Sequence, residues 1–240
     1  MSTYVYGFTH AAHPLNVDGA RGVGAAGSPV RVLRQEGLAA VVSDAPEGLR
    51  AKRRDVEAHT WILERLSEGG TVLPMRFGTV APNDSAVCAE LTLHARHYAG
   101  LLTKLAGKVE LNVKAVHRED DVLRDLLQQD RALREWNEAL RSGGGSREAQ
   151  IEFGEEVAAA LDDRRAADGE RVLAELRTHA EHTVMGPPVN GCFVNASFLV
   201  PDDERQAFAA AVARAQDAVA TVADVDLYGP LPPYSFVTES

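Results

Sequence analysis

The sequence predicts an α+β protein of two domains, and three observations carry that prediction. Strand-like and helix-like segments alternate irregularly, hairpin-like strand pairs gather near the start, and long helical patterns dominate the second half. The regular β-α-β-α alternation of a doubly wound parallel sheet is missing. The 240 residues suit one large or two modest domains, and 45% hydrophobic with 25% charged residues is ordinary for a globular chain.

Residues 3–8, Thr-Tyr-Val-Tyr-Gly-Phe, are aromatic and β-branched and read as a strand, with Tyr4, Tyr6 and Phe8 on one side. Residues 9–29 carry Pro14, Gly19, Gly22, Gly24, Gly27 and Pro29, which is loop chemistry. Residues 30–33 and 38–43 form two short strands around a turn at 35–37. A helix follows over 50–68, with Val56, Leu63 and Leu66 near one face, His59 on the apolar side and Gly69-Gly70 as the stop. Residues 71–80 read as a strand interrupted by Pro74. Asn83 or Asp84 caps a long helix running to 106, and residues 109–115 alternate apolar and polar as a strand.

In the second half, residues 120–141 and 148–182 read as two long amphipathic helices joined by the flexible Gly143-Gly144-Gly145-Ser146 and paired antiparallel. Met185-Gly186-Pro187-Pro188 breaks the second. A strand over 192–200, a helix to 220 and a strand over 222–228 precede a tail rich in proline and aromatics. From residue 109 the order is strand, helix pair, strand, helix, strand. This is close to a ferredoxin-like plan with one strand missing or rearranged. The expected domains are 1–106 and 107–240, the second including the tail.

Charge and composition exclude several classes. The net charge of −10, from 35 acidic against 25 basic residues, disfavours a phosphate-backbone partner, so no nucleic acid is expected. No apolar run approaches the roughly 20 residues of a membrane span, and the N-terminus lacks the basic-then-apolar pattern of a secretory signal. Two cysteines, Cys88 and Cys192, rule out a disulfide framework and leave a single long-range bridge open. The cytoplasm is the expected location.

No constellation of catalytic residues emerges. Gly22-Val23-Gly24-Ala25-Ala26-Gly27 spells G-x-G-x-x-G, with Asp44 beyond it. A dinucleotide site needs a strand directly before that motif and a helix directly after it. Here a long loop precedes it and a strand follows, so a flexible surface loop is the reading. Glu90, His94 and His97 would share a helix face, and His179 lies close to His182, yet neither set matches a metalloprotease spacing. Paired acids such as Asp120-Asp121, Asp162-Asp163 and Asp202-Asp203 sit at helix starts or on polar faces. No metal, cofactor or catalytic residue is expected.

Three segments carry a more specific signal: Tyr4-Val5-Tyr6-Gly7; Val72-Leu73-Pro74-Met75-Arg76-Phe77-Gly78-Thr79-Val80; and Tyr228-Gly229-Pro230-Leu231-Pro232-Pro233-Tyr234-Ser235-Phe236. Glu110-Leu111-Asn112-Val113-Lys114 lies between the second and third. As an ordered set they resemble the gas vesicle protein GvpF/GvpL family over essentially the whole chain. The resemblance implies an α+β N-terminal domain and a C-terminal domain with a modified ferredoxin-like fold, built here around the long helical hairpin. It also implies a non-enzymatic accessory or minor structural role in assembling the gas vesicle shell. The partners implied are the shell protein and other gas vesicle accessory proteins, and the implied location is cytoplasmic, at the vesicle. The F and L branches are not distinguished.

The candidate structural or partner-contact residues are Pro74, Arg76, Phe77 and Gly78, with Gly229, Pro230, Leu231, Pro232, Pro233, Tyr234 and Phe236. Pro74 removes a ladder donor, so its strand is expected at an edge or bulged. Arg76 must reach solvent or a carboxylate. The tail prolines favour an extended polyproline-like path, with Leu231, Tyr234 and Phe236 as anchors. That tail is either an intramolecular clasp or a docking strip. The alternative function is a small-molecule enzyme or a metal- or haem-binding sensor on a ferredoxin-like scaffold, using His94 and His97.

Overall fold

The computed structural model describes residues 1–24, 27–143, 145–189 and 191–237. It divides the chain into two compact units, 1–110 with the tail from Pro230, and Leu111–Gly229. The tail expected in the second domain thus groups with the first.

In the first unit, β1 (Thr3–His10), β2 (Arg31–Gln35) and β3 (Leu38–Asp44) form an antiparallel sheet ordered β2-β3-β1. Two short strands, β4 (Leu73–Pro74) and β5 (Val80–Ala81), share the far side of β1. The single strand expected over 71–80 is therefore split. Pro74 lies on the edge, opposite Gly7, where its missing N–H breaks no ladder on the outer side. Between β4 and β5 the chain arches outward, tied down by Met75 N–H to Tyr6 O at 2.8 Å and Val5 N–H to Thr79 O at 3.0 Å.

The sheet packs against α1 (Arg53–Gly69) and against α2 (Asp84–Leu93) and α3 (Ala95–Leu105), so β1 is buried along nearly its whole length. A register shift between Val5 and Gly7 marks a bulge. It separates Tyr4 and Tyr6, in the cluster with Ile62, Leu63 and Leu66 of α1, from Phe8, which meets the Tyr98 ring of α3 at 5.0 Å. The three aromatics expected on one side are split between two. The buried positions of α1 are Asp55, His59, Ile62, Leu63 and Leu66; Val56, expected on that face, is 37% exposed. Asn83 caps α2 by accepting from Ala86 N–H at 2.9 Å. The next residue, Asp84, accepts from Thr3 and Arg31, joining β1, β2 and α2. The helix expected to run to 106 breaks at His94.

In the second unit, β6 (Lys108–His117), β7 (His182–Met185), β8 (Cys192–Pro201) and β9 (Ala223–Leu231) form a sheet ordered β7-β8-β6-β9. Leu111, Val113 and Ala115 bury one side of β6, as their alternation requires. Val172 and Leu176 of α6 (Arg147–Arg177) and Phe208, Ala211 and Ala215 of α7 (Arg205–Val219) are buried with them. The helix expected over 120–141 is two, α4 (Glu119–Gln129) and α5 (Arg131–Arg141). Asp130 divides them: its own N–H still closes α4 on Leu126 O, while its carboxylate accepts from Leu133 N–H to start α5. α6 stops at Arg177 rather than 182, because Glu181 N–H donates to Leu199 O and His182 enters β7. Of the expected glycine linker, Gly144 lies outside the described residues; Ser146 caps α6 by accepting from Ala149 N–H.

Candidate functional site

The segments singled out in the sequence converge in the first unit on one buried ring, His59 of α1. Its position is set by helical spacing, one turn after Asp55 and one before Ile62 and Leu63. Nε2 lies 3.1 Å from the carbonyl of Met75, which can only accept, so Nε2 carries the proton. Nδ1 then accepts from the Tyr4 hydroxyl at 2.9 Å, and Tyr4 Oη accepts from Gly78 N–H at 3.1 Å. Gly78 adopts φ +94°, a conformation that aims this N–H inward and that side chains resist. The rings of Tyr4, Tyr6 and Phe77 surround the imidazole at centroid distances of 5.7 Å each.

Tyr6 organises the opposite side. Its Oη accepts from Val23 N–H at 2.9 Å and lies 3.0 Å from Ser43 Oγ. Gly22 is required here: a Cβ would stand 2.0 Å from that hydroxyl. The G-x-G-x-x-G segment is thus a wrap over a tyrosine. Gly22 N–H donates to Ser28 O, Gly24 N–H to Asp55 Oδ1 and Gly27 N–H to Gly24 O, which leaves these amides unavailable to a pyrophosphate. Val23 is fully buried, so the segment is anchored rather than a free surface loop; Ala25 and Ala26 lie outside the described residues.

The tail closes the arrangement. Gly229, Pro230 and Leu231 continue β9, and a 3-10 turn follows over Tyr234–Phe236, so the polyproline-like path is replaced by strand and turn. Leu231, expected as an anchor, is 37% exposed, and Pro230 is also exposed. The buried residues are Pro232 and Pro233, with Tyr234 and Phe236 half-buried. Tyr234 packs on the cluster, and Ser235 donates from N–H and Oγ to the Glu110 carboxylate at 2.8 and 2.7 Å. Glu110 is 3% exposed. Its place in a polar–apolar alternation gave no sign of burial; a carboxylate in an otherwise shared segment was the only signal.

Burial dominates the electrostatics. It pushes the Tyr234 phenol up to about 12, with the Glu110 and Glu64 charges adding to the effect, and it raises Tyr4 and Tyr6 as well. It lowers His59 and His13, while the Gly24 amide holds Asp55 below the usual carboxylate range. The unfolded histidines take up protons near pH ~6.5 and the folded ones only at lower pH. Their contribution is therefore whole above about 6.5 and declines as pH falls below it, by up to ~1.4 kcal/mol per pH unit for each ring. Denaturation midpoints between pH 7.5 and 5 should fall accordingly, and His59→Gln should flatten the slope.

The remaining candidates do not assemble. Arg76 is exposed, with no carboxylate partner among the described residues, so solvent satisfies it. Arg76→Met should shift stability by no more than about 0.5 kcal/mol, checked by urea denaturation. Glu90 accepts from Tyr98 Oη at 2.5 Å and stands 3.7 Å from His94 Nε2, while His97 turns to the Tyr98 ring. His179 receives a bond from Arg214 after the end of α6, whereas His182 is in β7. Cys88 and Cys192 are both free thiols. Among the described residues no helix is long and apolar enough to cross a membrane.

Comparison with known proteins agrees with the earlier resemblance. Residues 2–238 match the family described as gas vesicle synthesis protein GvpL/GvpF. Gas vesicle protein F of Streptomyces sp. (strain CB03234) is 45% identical over 238 residues, covering 99% of this chain and 100% of that protein. Gas vesicle protein F2 of Halobacterium salinarum is 30% identical, covering 98% and 91%. The crystal structure of GvpF from Anabaena sp. PCC7120 superposes with a TM-score of 0.84 at 23% identity, over 100% of this chain and 99% of that one, and so shares the fold.

Proposed function

Because the chain belongs to the gas vesicle synthesis protein GvpL/GvpF family, we propose that it is an F-branch accessory protein of gas vesicle shell assembly, acting by protein–protein contact and not by catalysis. The observation that carries this reading is how the shared segments spend their polar atoms. Tyr4 and His59 bond to each other, His59 to the Met75 carbonyl and the Glu110 carboxylate to Ser235, and the glycine-loop amide of Gly24 is held by Asp55, all within the fold. Such groups hold a scaffold; they are not poised toward a substrate.

On this reading the tail is an intramolecular clasp, not a docking strip, and the two units act as two domains. The strand order β7-β8-β6-β9, with helices between β6 and β7 and between β8 and β9, supports a ferredoxin-like plan for the second, enlarged by α4 and α5. The partners are the shell protein and other gas vesicle accessory proteins, met in the cytoplasm at the growing vesicle. A strongly apolar shell subunit needs its surface covered before it polymerises, and a soluble acidic protein can supply that cover.

The test is affinity capture of purified shell protein by the immobilised full chain, with metal analysis and an absorbance spectrum of the same preparation. Capture by a metal-free, colourless protein is the expected result. Failure of a folded chain to capture it would refute the contact mechanism, and stoichiometric metal or a haem band would favour the sensor or enzyme reading.

A further inference from the structure

The second unit carries an apolar groove of about 290 Å³ between α4, α5 and α6, lined by Leu123, Leu126, Leu127, Leu133, Phe153 and Val157. Asn137 is the single polar side chain in its wall. Apart from Leu133 these residues are half-buried, and every fully buried residue of α6 lies from Asp168 onward. Among the described residues the first half of α6 thus meets only α4 and α5, which leave Phe153 and Val157 half-buried and Ile151 exposed nearby. An amphipathic helix whose apolar stripe is left half open calls for a partner.

The surroundings specify that partner. Residues 119–157, which build the groove, hold eleven acidic against five basic side chains. Glu148, Glu152, Glu155 and Glu156 follow one another along α6, all exposed and with no ion-pair partner among the described residues. Of the five cations, Arg124 and Arg131 are paired with Asp121 and Glu135 and Arg134 donates to the Gln128 carbonyl, which leaves the acids in excess. A second copy of the chain would bring like charge to like charge. A small polar ligand would find one amide to orient it, where such sites place several polar groups.

We propose that this groove is the docking surface for an amphipathic helix of a partner protein, one whose apolar stripe is edged by lysine or arginine. The apolar stripe fills the groove, and the basic edges lie against the α6 glutamates. This goes beyond the assembly role and holds whichever protein presents the helix. Its test uses no second gas vesicle protein, so the two can fail separately.

Trp136, whose ring meets Phe153 at 5.6 Å, is the reporter. In the full chain carrying Trp61→Phe it is the only tryptophan. The probe is a synthetic helix of about 18 residues, five turns, with a leucine stripe and lysine flanks; its counterpart carries glutamate flanks. The lysine peptide should shift Trp136 emission saturably and bind at least about tenfold more tightly than the glutamate peptide. Phe153→Asp separates docking from general attraction: it adds negative charge, so attraction alone predicts tighter binding, whereas docking predicts a loss of about tenfold or more. Should that variant melt abnormally, the exposed triple change Glu152→Gln, Glu155→Gln and Glu156→Gln must weaken the lysine peptide and leave melting unaltered. Equal affinity for the two peptides, undiminished binding by a folded Phe153→Asp, or a dimer in sedimentation that blocks the peptide would each overturn the proposal.

Discussion

Deleting residues 230–240 should cost the first unit roughly 4–6 kcal/mol, a large part of a typical total of about 5–15 kcal/mol. Two terms make up that loss. Full burial of a large apolar side chain contributes about 1.5–3 kcal/mol, and half-buried Tyr234 and Phe236 supply part of this, together with buried Pro232 and Pro233. The second term is the pair of hydrogen bonds from Ser235 to the Glu110 carboxylate, each to a charged group and contributing about 1.5–3 kcal/mol. Ser235→Ala removes one of the two donors and should cost only the smaller share. Amide exchange at Val23 and Gly78, whose N–H groups end on Tyr6 and Tyr4, would report the loosening directly. A truncated chain that melts within a degree or two of the intact one would show that the tail is no clasp.

Asp168→Ala should be comparably damaging, for a different reason. The carboxylate is fully buried and accepts from Arg164 Nε at 2.7 Å, His117 Nε2 at 3.0 Å and Arg171 at 3.1 Å. Arg164, itself largely buried, keeps only Asp125 at 2.6 Å among the described residues once Asp168 is gone. Breaking a buried pair by removing one partner costs about 3–5 kcal/mol, because the remaining charge stays desolvated. For a chain of this size that lowers the melting temperature by roughly 6–20 °C. Replacing Arg164 by Met as well should recover part of the loss, since the largely buried guanidinium is then gone, although Asp125 and the His117 ring each lose a partner. Strict additivity of the two changes, each below about 0.5 kcal/mol, would mean that water reaches the cluster.

Where the sequence was legible and where it was not follows from which interactions set each element. Strands β1, β3, β6 and β8 follow their own alternation or apolar runs, and α7 its own periodicity, so local pattern suffices. The buried face of α1 departs from the one its apolar residues predict because two of its buried positions are Asp55 and His59, and a polar residue counts against burial until its partners are known. Those partners, Gly24 and the Tyr4–Met75 pair, lie 31 and 55 or 16 residues away. Asp130 reads as an ordinary helix residue within an amphipathic run; only its side-chain bond to Leu133 N–H turns one helix into two. Residues 71–80 look like a strand because Leu73 and Val80 are strand residues, while the arch between them is held by bonds to β1. At the candidate site the segments were identified and their meeting point was not. His59 and Glu110 do that work through contacts more than fifty residues apart in sequence.

The assembly role is tested most directly by the solubility of the shell protein. Expressed with and without the full-length chain in the same cells, the shell protein should stay in the cleared lysate in its presence and pellet in its absence. A shell protein equally soluble in both, beside a folded and abundant partner chain, would contradict the account.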